Sequence, residues 1–235
     1  GSNNHLLFIT YSPKHIDVFD LNKFKFVAHS TLPTDNYIRY HCFISKAGND
    51  LTTGTRINEN KKKNEMVLVC WKTGLTIEYY EDSNFFVISK LRVCSTIRLF
   101  YAYAHVCVND VILFFGGFGG ADVAVLNAVH IYSMIEKQWI KFEYTLPTPL
   151  YGCVGLLSED KKYFHILGGR SDENKVVSRH IKTKVDDWMQ ERTEKEKQWL
   201  AEENEKIEIE QIKGVAQALQ INELNKVGLI FFVFD

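Results

Sequence analysis

Between residues 5 and 193, short apolar runs rich in Val, Ile, Phe and Tyr alternate with Gly, Asn, Asp and Pro. Runs of this kind, bounded by turn formers, predict β-strands joined by hairpins. Two stretches carry the pattern most fully. Val111 to Trp139 reads VILFFGGFGGADVAVLNAVHIYSMIEKQW, and Tyr163 to Trp188 reads YFHILGGRSDENKVVSRHIKTKVDDW. Each has an apolar run ending in Gly-Gly, a variable loop, a second run, a polar turn and a Trp. Gly116-Gly117 and Gly168-Gly169 lie 52 residues apart, and Trp139 and Trp188 lie 49 apart.

The preceding chain repeats the plan in degraded form. Phe19 and Phe26, Tyr79 and Phe86, and Tyr132 and Trp139 share a spacing of 7. Thr31-Leu32-Pro33-Thr34 recurs as Thr145-Leu146-Pro147-Thr148. A further strand then follows at Arg39 to Cys42, Arg98 to Tyr101 and Leu150 to Cys153. Asn49-Asp50, Asn109-Asp110 and Glu159-Asp160 supply the next turn. Four strands in roughly 50 residues make one propeller blade. The glycines allow a sharp turn where strands crowd, and the aromatic near the outer strand fills the gap between blades.

These features, Gly116-Gly117 with Tyr132 and Trp139 and Gly168-Gly169 with Ile181 and Trp188, resemble the kelch repeat. Cys70-Trp71 stands where the second unit's Gly pair belongs, and Ile181 replaces a Tyr. The resemblance implies an all-β fold: a partial kelch-type β-propeller of about three and a half four-stranded blades over residues 5–193. The first unit begins at its second strand, Leu6 to Thr10. Closed propellers have typically about four to eight blades, so the expectation is that upstream blades precede this chain. Open blade faces would otherwise expose large apolar surface.

Residues 51–65, LTTGTRINENKKKNE, read as a polar insertion loop in the second unit. Past Trp188 the chain becomes Glu/Lys-rich and lacks Gly and Pro over residues 191–213. Favourably ordered Glu191–Lys195 and Glu202–Lys206 pairs predict a charged α-helix or linker over 194–220. Residues 221–235 form an apolar tail, with Val227 to Phe234 read as the first strand of a further module or as an edge strand closing a blade.

Composition narrows the function. Lys and Arg total 28 against 29 Asp and Glu, a net charge of −1, which gives no footprint for nucleic acid or an anionic membrane. No apolar run, the C-terminal Gly228 to Phe234 included, approaches the ~20 residues of a membrane span. The chain opens Gly1-Ser2, without Met or an apolar signal. Cysteines 42, 70, 94, 107 and 153 form no CxxC and read as free thiols of a cytoplasmic protein. No GxSxG, P-loop or kinase set is present. Gly116 to Gly120 reads GGFGG, but a strand and not a helix follows, so it does not read as a phosphate loop. Asp186-Asp187 read as solvated turn residues beside Trp188.

The expected function is a non-catalytic protein–protein interaction module, a scaffold or adaptor binding through rim loops and needing no metal or cofactor. In kelch repeats a basic residue often stands near the start of the innermost strand. The resemblance therefore implies that Arg39 and Arg98 face the central opening and pair with an acidic partner segment; the other reading has them bonding loop carbonyls. The loops after the Gly pairs supply Phe118, Asp122, Arg170 and Asp172 as further partner-binding candidates. The alternative is a kelch-fold enzyme acting on a sugar or small molecule, as in copper radical oxidases and sialic acid epimerases. That reading would use Tyr101, His105 and Cys107, whose alternation strand packing explains equally well.

Overall fold

The computed structural model describes residues 5–46, 63–120 and 124–231, with side chains as far as residue 217. They fall into two units, Gly1–Glu191 and Arg192–Asp235. The first unit is built of four antiparallel sheets in chain order. Sheet one holds β1 (Leu6–Tyr11), β2 (His15–Asp20) and β3 (Lys25–Thr31). Sheet two holds β4 (Cys42–Ser45), β5 (Lys63–Cys70), β6 (Thr73–Tyr80) and β7 (Phe85–Leu91). Sheet three holds β8 (Ala104–Val108), β9 (Val111–Gly117), β10 (Leu126–Ser133) and β11 (Gln138–Thr145). Sheet four holds β12 (Val154–Leu157), β13 (Tyr163–Leu167) and β14 (His180–Lys184).

Successive sheets bury one another's faces. Ile16 and Val18 of sheet one pack with Met66, Leu68, Leu75 and Ile77 of sheet two. Leu113, Phe115, Val129 and Ile131 of sheet three pack with Phe164 and Ile166 of sheet four. Between sheets two and three, the buried Tyr103 donates its hydroxyl to Val69 O at 2.8 Å. There Trp139 donates Nε1 to Arg92 O at 2.7 Å, and its ring lies against Phe114 and Tyr132.

Cross-strand pairs put the sheets in a common register. Cys42, Ala104 and Val154 open the first strands of sheets two, three and four, opposite Val69, Phe115 and Leu167. In that register Cys70-Trp71, Gly116-Gly117 and Gly168-Gly169 coincide. All but Cys70 have positive φ: 52° at Trp71, 67° and 135° at the first Gly pair, 63° and 94° at the second. A Cβ at Gly116 would stand 2.2 Å from Leu150 O, so close backbone approach as well as the turn demands glycine there. Two residues before each first strand, Tyr40, Ala102 and Gly152 share the left-handed conformation.

Several expectations need correction. Trp139 lies on the outer strand β11, but Trp188 ends a 3-10 turn, Asp186–Trp188, because sheet four has no fourth strand among the described residues. Asp186 and Asp187 belong to that turn and not to a hairpin. Lys63, Asn64 and Glu65 of the expected insertion are in β5, where cross-strand pairing with β6 extends the ladder; residues 51–62 lie outside the described residues. The faces of sheets one and four that no described sheet covers carry polar residues as well as apolar ones. Sheet one's carries Tyr11, Asp17 and His29, hydrogen-bonded to one another, beside exposed Phe24 and Phe26. Sheet four's carries a His165–His180 hydrogen bond of 2.7 Å.

In the second unit, helix α1 runs from Glu194 to Phe231. Thr193 and Glu196 form a capping box, Thr193 N donating to Glu196 Oε2 at 3.1 Å and Glu196 N to Thr193 Oγ1 at 3.3 Å, which satisfies donors that a helix start leaves open. Val227 to Phe231 are helical, not a strand, since no proline interrupts the backbone after residue 194. Residues 232–235 lie outside the described residues.

Candidate functional site

The loops entering the first strand of each sheet and the turns leaving the second strand come together at one edge of the first unit. The repeat fixes what they present. Immediately before the left-handed residues stand Arg39, Tyr101 and Tyr151, and before those the buried Ile38, Phe100 and Leu150. The buried residue anchors each loop in the core, and the left-handed step that follows holds its neighbour at the edge.

Tyr101 and Phe118 exchange backbone hydrogen bonds of 3.0 and 2.7 Å, and Tyr151 and Arg170 do the same at 3.0 and 2.8 Å. The result is a line of aromatic rings. Tyr40 and Trp71 lie 6.1 and 5.0 Å from Tyr101, Tyr101 lies 5.6 Å from Phe118, and Phe118 stacks on Tyr151 at 4.7 Å. Two cavities follow this line and share Tyr40 and Tyr101: one of about 420 Å³ at Tyr37, Arg39 and Trp71, the other of about 450 Å³ at Phe118, Tyr151 and Arg170. Tyr40 is 74% exposed and Tyr37 58%.

The ends of the cleft are basic. The Arg39 guanidinium sits 5.9 Å from the centre of the Tyr37 ring. Arg170 donates Nη1 to the backbone O and to Oδ1 of Asn174, each at 3.1 Å, and Tyr151 donates its hydroxyl to the same Oδ1. Burial, reinforced by Tyr40 and Tyr151 and opposed by Arg39, raises the Tyr101 phenol above its ordinary value. Burial likewise raises the Cys70 thiol, which donates to Arg39 O at 3.3 Å. Both groups stay protonated near neutrality, so the site offers flat rings, hydroxyls and two cations.

The structure thus brings Arg39, Phe118 and Arg170 to one cleft. Arg98 is elsewhere: its Nη2 donates to Val93 O at 2.9 Å, the loop-carbonyl reading. The register explains the difference, because Arg39 corresponds to Tyr101, three residues beyond Arg98. Asp172 is exposed in the loop after the second Gly pair and caps Glu173 N at 3.1 Å. Asp122 lies outside the described residues. His105 and Cys107 alternate along β8, and among the described residues no group of three or more His, Cys, Asp or Glu converges as metal ligands. Tyr37, Tyr40, Trp71 and Tyr151 escaped the sequence reading. Only Tyr151 had a signal, standing like Tyr101 three positions before a strand start; Tyr37, Tyr40 and Trp71 do not share that position.

No family model and no curated protein matches the chain. Among solved structures it is similar to "Structure of YjhT", at 15% identity and a TM-score of 0.39, over 46% of this chain and 32% of that one. The chain thus spans about a third of that structure's length.

Proposed function

We propose that this chain is part of a kelch-type β-propeller that acts, without catalysis, as a cytoplasmic protein–protein interaction module. Its four sheets are successive blades, and its partner is an extended, acidic protein segment lying along the rim cleft. The observation that carries this reading is the unbroken line of rings from Tyr40 and Trp71 through Tyr101 and Phe118 to Tyr151, with Arg39 and Arg170 at its ends. Tyr, Trp and Arg are the residues in which binding energy concentrates, because each combines large area with a polar handle. The arginines suit carboxylates, which a guanidinium can hold through two parallel hydrogen bonds.

The test is affinity capture with the full-length protein, comparing wild type with Trp71→Ala/Tyr101→Ala and with Arg39→Gln. Loss of the same partner from both folded variants supports the reading. Undiminished capture by both removes the cleft as the binding site.

A further inference from the structure

Beside the aromatic cleft, on the other side of the β5–β6 turn, lies a second cavity of about 270 Å³ with a different chemistry. The two cavities share Asp35 and Asn36, and Trp71 of the first is followed directly by Lys72 of the second. Lys72 and Lys90 line it, and neither is held in an ion pair among the described residues. The only acidic side chain lining it is Asp35. Between them sits a small polar frame. Thr34 Oγ1 and Thr73 Oγ1 share a hydrogen bond of 2.7 Å, Thr34 Oγ1 accepts from Asn36 N at 3.2 Å, and Thr73 Oγ1 accepts from Asn36 Nδ2 at 3.3 Å. Each hydroxyl oxygen thus accepts from Asn36, one hydroxyl donates to the other, and Thr34 Oγ1 also donates to Asn36 O at 3.4 Å. The donors left to offer a ligand are the second Asn36 amide hydrogen and two ammonium groups, with Asn36 Oδ1 and the Asp35 carboxylate beside them as acceptors. Gly74 keeps one wall as bare backbone, since a Cβ there would meet Leu91 O at 2.4 Å.

We propose that this pocket binds a phosphate monoester, and that the partner segment in the neighbouring cleft is therefore a phosphorylated one. Two lysines against one aspartate leave a net positive charge. A phosphomonoester carries about −1.5 to −2 at pH 7 and three strong acceptor oxygens, which matches two unpaired ammonium groups and an amide donor. Lysine serves such a group as a mobile point charge, whereas the planar guanidinium of Arg39 suits a carboxylate. The cleft and the pocket thus read two features of one segment. The second half of the proposal rests on the cleft as a protein-binding site; the pocket's affinity for phosphate does not.

The experiment uses the whole chain, isotope-labelled, titrated with phenyl phosphate and with inorganic phosphate at constant ionic strength, phenylacetate being the carboxylate control. Amide shifts should change at Thr34 to Asn36, Lys72 to Leu75 and Lys90 to Leu91 with both phosphates and far less with phenylacetate. Lys72→Gln/Lys90→Gln should weaken the response by at least about tenfold, the worth of a charge-assisted contact. Arg39→Gln, which tests the cleft, should leave the phosphate response within about twofold. Shifts scattered over all lysines, an equal response to phenylacetate, or an unchanged response in the double-lysine variant would overturn the pocket. Binding to vesicles containing phosphoinositide, without a response to phenyl phosphate, would overturn it in favour of a membrane headgroup. If the phosphates bind as expected but Trp71→Ala/Tyr101→Ala still captures the partner, the cleft has failed and the pocket stands.

Discussion

Sheets three and four are built on the same register yet face different surroundings, and their matching positions record it. In sheet three, Leu113 pairs across the strand with Ile131, and Phe115 with Val129; all four are buried toward sheet four. The corresponding pairs in sheet four are His165 with Lys182 and Leu167 with His180, on the face that no described sheet covers. Three of four apolar positions have become polar. The Lys182 ammonium lies 3.9 Å from the centre of the Tyr163 ring, a cation–π contact on that face. Sheet one shows the same substitution where Asp17 and His29 pair across strands. Backbone plan is common to all four sheets; the chemistry of each face follows from what lies against it.

The comparison breaks most visibly at the inner interface. Trp139→Ala removes a buried ring that touches Phe114 and Tyr132 and leaves Arg92 O without that donor. A loss of about 3–5 kcal/mol is expected, read from denaturant midpoints. A change under ~1 kcal/mol would mean that sheets two and three do not depend on this packing.

The two Gly pairs sharpen it. Gly116 and Gly168 have nearly the same φ, 67° and 63°. At Gly168 a Cβ would meet only Val177 O at 3.8 Å, so Gly168→Ala should cost the roughly 1–2 kcal/mol of a left-handed alanine. Gly116→Ala adds the clash with Leu150 O and should cost at least ~1 kcal/mol more. Equal losses would show that the inner loop yields freely.

How much of this was readable beforehand follows from where the information lies. Strand runs, the 52-residue step between Gly pairs and the equivalence of Cys70-Trp71 to a Gly pair all stand in local sequence. Register does not. Matching Arg39 to Arg98 looked sound as text, but the left-handed residues Tyr40 and Ala102 set the alignment three positions further on. The aromatic cleft was hidden for a related reason. Its rings come from loops far apart in the chain, and a tyrosine before a strand looks alike whether it is buried or at the edge. The end faces were the most legible feature left unread: the histidines and Lys182 stand in plain view at alternate positions.

Alkaline titration should also separate inner from outer positions. Burial raises the phenol of Tyr132, on inner strand β10, to about 12, and that of Tyr103 well above its ordinary value. A folded-state value above the unfolded one means that the native protein holds the proton more tightly. The stability is therefore fully present below about pH 10 and is lost as pH rises from there through 12. Denaturant midpoints from pH 8 upward should decline progressively in the wild type. Tyr132→Phe should decline less steeply above pH 10. Identical slopes would place the responsible groups elsewhere.

The smallest effect on stability is expected at the outer face, and it is the most direct trial of the comparison. His165→Leu/Lys182→Ile restores to sheet four the residues that sheet three carries at the matching positions. Both side chains stand on an uncovered face, so unfolding free energy should move by no more than about 0.5 kcal/mol either way. The lost His165–His180 hydrogen bond and Lys182–Tyr163 contact oppose the β-propensity of the new side chains. Association is what should change. Val154, Leu156 and Leu167 are already exposed on that face, and two further apolar side chains among them would join them into a patch of the kind that drives self-assembly. Sedimentation at increasing concentration should show the variant associating under conditions where the wild type does not. If the variant instead loses several kcal/mol and stays monomeric, the polar residues are structural and the face was never selected for exposure. If wild type and variant associate alike, the polar positions do not protect that face, and the contrast between inner and outer sheets loses its physical cause.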